Sequence, residues 1–115
     1  MKRKLCKWIL IPLSVLLIGI QFIAVHHTNP PVTGEIQAPE PIMQILRKAC
    51  YDCHSNETKW PWYSNIAPIS WLVVDDVMEG RGEMNFSEWN DFSDNKKYIR
   101  QARCGKLVVL GEMPL

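Results

Sequence analysis

From residue 8 to residue 25 the chain carries no acidic or basic side chain, and Lys2, Arg3, Lys4 and Lys7 stand immediately before this apolar run. As a single helix its 18 residues would rise about 27 Å, enough to cross a hydrocarbon core. The pattern predicts a transmembrane helix with its basic flank in the cytoplasm and everything after Val25 outside. Pro12 and Gly19 weaken a helix in water but are tolerated in a span. A cleaved secretory signal and a buried soluble helix are the alternatives. The run ends Phe22-Ile23-Ala24-Val25-His26-His27, without the small-x-small pair that cleavage prefers. Cys6 precedes the run and so cannot be a lipoprotein cysteine. An uncleaved signal anchor over residues 1–25 is the expectation.

After the run the periodicity stops. Residues 28–41 hold four of the eight prolines, which predicts a stiff, extended spacer over 26–40. His26 and His27 open it and read as solvated residues rather than metal ligands, because neighbouring side chains point apart. From Pro41 a helical period begins, with Ile42, Ile45, Leu46, Ala49 and Cys53 on one face. A second helix is expected over 68–79, with Ile69, Leu72, Val73 and Val77 as its apolar stripe and Gly80 as its C′ stop. Ser87 can cap a short turn, and Ser93 or Asp94 a helix reaching at least Ala102. Only 107–110 could be a strand. The fold class is therefore mainly α: a transmembrane helix, then a small helical domain over 41–115.

Composition sharpens this division. The whole chain has 13 Lys+Arg against 12 Asp+Glu in 115 residues, a net charge of +1. Residues 26–115 alone have nine basic and 12 acidic side chains, a net −3. Neither balance suits a nucleic-acid binder, which needs a basic stripe or patch. The length allows one domain and excludes a large multi-domain enzyme.

The chemistry is concentrated in Cys50-Tyr51-Asp52-Cys53-His54, the C-x-x-C-H signature of c-type haem attachment. Two thiols three residues apart near a helix end can reach the two vinyl groups of one porphyrin. The next residue then sets an imidazole under the iron. Cys50 and Cys53 are the expected thioether anchors and His54 the proximal ligand of haem c. A thioredoxin-like dithiol would need a βαβ context that is absent. Structural zinc would need a fourth ligand, for which only Cys104, His26 or His27 is available. A Cys50–Cys53 disulfide would close a very small loop.

The segments around this signature resemble the bacterial haem-binding domain family. The resemblance is carried by Thr28-Asn29-Pro30-Pro31-Val32, by Ala49-Cys50-Tyr51-Asp52-Cys53-His54-Ser55-Asn56-Glu57-Thr58 and by Trp60-Pro61-Trp62-Tyr63-Ser64. Ala67-Pro68-Ile69-Ser70-Trp71, Asn85-Phe86-Ser87-Glu88-Trp89 and Gly111-Glu112-Met113-Pro114 extend it from residue 21 to the end. It implies a small, membrane-anchored, single-haem protein with a cytochrome c-like fold and two axial ligands. It also implies a further helix after the methionine loop. The chain stops at Leu115, so the expected domain lacks its C-terminal closing helix.

Among the methionines, Met113 in Gly-Glu-Met-Pro is the candidate distal ligand, since a thioether on a Gly/Pro-flanked loop can adjust to the iron. Met84 is the alternative, and Met43 and Met78 sit on helices. Pro68 is a candidate for the carbonyl that accepts the His54 Nδ1–H bond, with Pro61 behind it. Trp60, Trp62, Trp71 and Trp89 could wall a haem crevice or serve as ordinary packing. Cys104 reads as an inert thiol, a disulfide partner of Cys50 or Cys53 before haem attachment, or a cysteine that pairs between two chains.

These residues predict a monohaem electron carrier rather than an enzyme. It would stand in the inner membrane with its haem domain on the periplasmic side. The cytochrome c maturation machinery would load it, and a redox protein with a basic patch would meet it, with no nucleic acid partner. A haem sensor or peroxidase-like enzyme with an open sixth position is the rival, and a truncated, non-functional family member is the third reading.

Overall fold

A computed structural model describes residues 2–114, with side chains described from Lys7 onward. Five helices occur in order: α1 Lys2–Gly19, α2 Glu40–Ala49, α3 Tyr51–His54, α4 Ile69–Glu83 and α5 Asp94–Val109. Short 3-10 turns stand at Ile20–Phe22, Trp62–Asn65 and Trp89–Asp91. No strand is present among the described residues, only an isolated parallel bridge between Gly34 and Glu88. The mainly helical expectation holds.

The transmembrane helix does not. Helix α1 has 18 residues, but it begins within the basic tract and ends at Gly19. The rest of the apolar run is a 3-10 turn followed by extended backbone at Ile23. The uncharged stretch is thus split between a helix that shares its length with Lys2, Arg3, Lys4 and Lys7 and a segment that is not α-helical. A span needs about 20 apolar residues in one helix. Among the described residues no helix is long and apolar enough to cross a membrane.

The chain divides into two units, one made of Met1–His27 with Pro61–Val74, the other of Thr28–Trp60 with Asp75–Leu115. In the first, the Gln21 side-chain amide pairs with both backbone groups of Ala67. Its Nε2 donates to the Ala67 carbonyl at 2.9 Å and its Oε1 accepts the Ala67 N–H at 3.0 Å. His27 Nε2 lies 2.7 Å from the Ser64 carbonyl.

The second unit holds the aromatic core. Ile36, Tyr51, Met84, Phe86 and Trp89 are buried together, with Met43, Leu46, Cys50, Phe92 and Cys104 packed around them. Tyr51 and Phe86 stack at 5.4 Å, and Trp89 meets Phe92 edge-on at 6.0 Å. Phe86 is 2% exposed, so Phe86→Ala should cost about 3–5 kcal/mol, read as a lowered urea midpoint. The proline-rich segment takes part in this unit. Thr33 and Gly34 donate to the Ser87 carbonyl at 3.0 Å, and Ile36 donates to the Phe86 carbonyl at 2.8 Å. Its prolines stiffen the backbone, while Ile36, its buried apolar residue, inserts into the core.

Helix boundaries differ from the sequence expectation at two informative places. Helix α4 continues through Gly80 to Glu83 instead of stopping before it. Helix α5 runs to Val109 with Leu110 as its C-cap, so 107–109 is helical and no strand forms there. Gly111, at φ +73°, supplies the left-handed turn that ends α5. The Glu112 N–H donates to the Leu107 carbonyl at 2.9 Å and the Gly111 N–H to Val108 at 3.1 Å, the paired bonds of a Schellman stop.

Candidate haem site

Cys50 lies where α2 gives way to α3, with φ −125° and ψ −29°. Its carbonyl accepts the N–H groups of Cys53 at 3.2 Å and His54 at 2.9 Å. The single turn α3 therefore carries the second thiol and the imidazole, while the first thiol sits at the joint. Cys50 and Cys53 are free thiols, each half-buried.

The His54 ring is held from one side. Its Nδ1 lies 2.8 Å from the Gly80 carbonyl and 3.0 Å from the Met84 carbonyl. Both oxygens can only accept, so Nδ1 carries a proton, and in the neutral ring Nε2 then keeps its lone pair. Nε2 makes no hydrogen bond among the described residues. Phe86, tilted at 6.1 Å from the imidazole, supports the ring, and its N–H donates to the His54 carbonyl at 2.8 Å. The Nδ1 partners thus correct the expectation placed on Pro68 and Pro61. The Pro68 carbonyl accepts the Trp71 N–H at 3.1 Å in the first turn of α4, and that of Pro61 accepts the Ser64 N–H at 3.0 Å.

Gly80 has a packing reason to be glycine. A Cβ there would stand 2.5 Å from the Cys53 carbonyl oxygen and 3.2 Å from the Cys53 Cβ. Only a residue without a side chain lets α4 close on the turn at Cys53 and bring its carbonyl under His54.

A polar network fixes the turn on the C-terminal side of the histidine. Ser55 Oγ donates to the Tyr51 carbonyl at 2.7 Å and Thr58 Oγ1 to the Asp52 carbonyl at 2.8 Å. The Asn56 N–H donates to Ser87 Oγ at 2.9 Å, and Asn85 Nδ2 donates to Asn56 Oδ1 at 2.8 Å. Arg81 reaches four acceptors around this turn: Ser55 O, Thr28 O, Asn29 Oδ1 and Thr58 Oγ1, at 2.7–2.9 Å. Burial pulls the Arg81 pKa below its ordinary value, with a smaller opposing effect from Glu88. No sequence pattern singles out Arg81. Its signal, an arginine next to the glycine that packs on the motif, is legible only once the helix pairing is known.

Burial pushes the Cys50 thiol above its ordinary range, with Cys104 and Cys53 adding to the shift. Cys53 is raised likewise by burial, then by the carboxylates of Asp52 and Asp76. A raised folded-state pKa keeps the thiols neutral at neutral pH. The stability tied to those neutral thiols is intact below their ordinary range and is lost as pH rises through the raised values. Iodoacetamide at about pH 8 should therefore alkylate both cysteines several-fold more slowly in the folded chain than in urea, because the thiolate is the reactive form. Peptide mass spectrometry of quenched time points checks this, and the difference should shrink as pH rises.

The other candidates are dispersed. Met84 is buried in the core and its carbonyl holds Nδ1, on the edge of the imidazole away from Nε2. Met43 packs against the same core, and Met78 is exposed on α4. Met113 is half-buried just beyond the α5 stop, with its N–H donating to Leu107 O at 3.4 Å. Among the tryptophans, Trp89 is core and Trp62 is exposed. Trp60 lies 6.0 Å beneath the Arg81 guanidinium, and the Trp71 Nε1 is buried without an acceptor among the described residues. Cys104, on α5, packs against the core that Cys50 also touches.

The structure thus brings the Cys50 and Cys53 thiols and the His54 imidazole together beside an aromatic core. No cluster of His, Cys, Asp and Glu suited to a bare metal ion occurs among the described residues. The chain belongs to the haem-binding domain family, whose pattern matches residues 15–115. It is a haem-binding domain by that membership. No curated protein and no solved structure matches it.

Proposed function

We propose that the chain binds its haem covalently, through thioethers to Cys50 and Cys53, and that it passes single electrons. The observation that carries this reading is the pinned imidazole. Carbonyls of Gly80 and Met84 hold the His54 Nδ1–H and leave Nε2 for iron. When bound, the haem supplies an iron that accepts or gives up one electron. The residues of the chain keep the geometry constant through that change. Hydrogen-bonded Nδ1 makes His54 a more basic ligand, which favours the oxidised iron. Phe86 and the polar turn hold the ring and its backbone so that little reorganises.

Met113 is the proposed distal ligand. Its thioether comes after the Gly111 stop on a short segment free of secondary structure, and Met84 is engaged on the proximal side. Thioether attachment suits an extracytoplasmic, oxidising compartment, and the maturation machinery would act there. Asp52 and Asp76 lie close enough to Cys53 to raise its thiol. They favour a redox partner with a basic contact surface, whose encounter rate should fall with salt.

Potentiometric titration of the haem-loaded protein tests the function. One reversible one-electron wave, with no binding of carbon monoxide to the reduced form, is the expected result. Ready binding of carbon monoxide together with peroxidase turnover would transfer the assignment to a sensor or enzyme with an open sixth position.

A further inference from the structure

Arg81 comes directly after Gly80 on α4, and the two residues grip the same part of the chain by different means. The Gly80 carbonyl accepts from His54 Nδ1 at 2.8 Å, while Arg81 Nε donates to the carbonyl of Ser55, the next residue after the histidine, at 2.7 Å. Three of the other four guanidinium hydrogens reach Thr28 O at 2.8 Å, Asn29 Oδ1 at 2.9 Å and Thr58 Oγ1 at 2.8 Å. Thr58 itself donates to the Asp52 carbonyl inside the attachment motif. One helical turn therefore sets both the ring of His54 and the backbone on its C-terminal side.

We infer that Arg81 is the positioning residue for the axial histidine: its guanidinium registers α4 against the turn at 55–58 and so keeps the Gly80 and Met84 carbonyls under Nδ1. The inference rests on His54 being the iron ligand, yet it concerns contacts made by the chain itself. Arginine suits the task because its planar fork serves several acceptors at fixed angles. Lysine, with a single rotating ammonium, can keep the charge but not the set of bonds. Loss of the fork frees α4 to shift by tenths of an ångström, and Nδ1–H would then exchange between carbonyl and water.

The test uses full-length wild type, Arg81→Gln and Arg81→Lys, in both haem-free and haem-loaded forms. In the haem-free chain, labelled with nitrogen-15 histidine and held at one pH, the readout is solvent exchange of the His54 Nδ1 proton. Arg81→Gln should speed exchange at least about tenfold, the equivalent of one charge-assisted hydrogen bond, and Arg81→Lys should fall between. Unchanged exchange in a variant with native helix content overturns the inference. Should Arg81→Gln fail to fold, Thr58→Val with Asn29→Ala strips two acceptors and leaves the arginine. A few-fold acceleration is then expected, and unchanged exchange again overturns the proposal.

In the haem-loaded protein Arg81→Lys, which conserves charge, should raise the midpoint potential because the histidine becomes less basic. An unchanged potential contradicts control of the ligand by Arg81. A wild-type chain that takes no covalent haem would defeat the proposed function, whereas the exchange measurement decides the role of Arg81 regardless.

Discussion

Serine at both Cys50 and Cys53 should leave the denatured chain without haem when it is produced alongside the cytochrome c maturation machinery. The wild-type chain should retain its haem stain on a denaturing gel. The effect is all or none because a thioether is a covalent bond and a serine hydroxyl does not add to the vinyl group under the same conditions. Cys50→Ser alone and Cys53→Ser alone should each keep part of the stain through the remaining thiol. His54→Ala separates anchoring from ligation. The thiols still present the chain to the porphyrin, but Nε2 is gone, and any haem retained should show altered axial ligation in its absorption spectrum. A double-serine variant that stains like wild type contradicts attachment at this motif.

The second large effect comes from two glycines on the same helix that call for opposite outcomes. At Gly80 an added Cβ meets the Cys53 carbonyl oxygen at 2.5 Å, whereas at Gly82 nothing lies within 4 Å. Backbone oxygen cannot swing aside as a flexible side chain can. Gly80→Ala should therefore destabilise the chain by about 2–3 kcal/mol through overpacking. It should also move the Gly80 carbonyl away from His54. Gly82→Ala adds only a better helix former in open space and should stabilise by about 0.5–1 kcal/mol. Urea denaturation of the two variants beside wild type measures both signs. Equal shifts in the same direction would contradict the close approach of α4 to the attachment turn.

Gly80 also shows where the sequence is legible and where it is not. A glycine after an apolar stripe is the usual mark of a helix stop, and the same letter marks a helix crossing at close range. Only the pairing of α4 with Cys53 separates the two meanings. The proposed attachment motif stands out in the sequence because C-x-x-C-H fixes the spacing of Cys50, Cys53 and His54 whatever the fold around them. The Nδ1 acceptors are not readable, because any residue can offer a backbone carbonyl. Pro68 stands out in the sequence by its place 14 residues after His54, while Gly80 and Met84 reach His54 through the course of α4.

The apolar run teaches the converse lesson. Hydropathy counts side chains and cannot see that α1 starts among lysines and ends at Gly19. Ile36 is hidden by its prolines, since one buried residue in an extended segment has no period. Arg81 is hidden as well, because a lone arginine on a helix looks like any solvated charge until its four acceptors are brought around it.

Covalent bonds at Cys50 and Cys53 are the central feature proposed for this haem-binding domain. Intact mass spectrometry of the purified, acid-denatured full chain tests them most directly. The expected result is the mass of the chain plus one haem, with the added mass mapping to the peptide that contains Cys50, Cys53 and His54. The mass of the chain alone, from a preparation whose haem colour is lost on denaturation, would contradict covalent attachment.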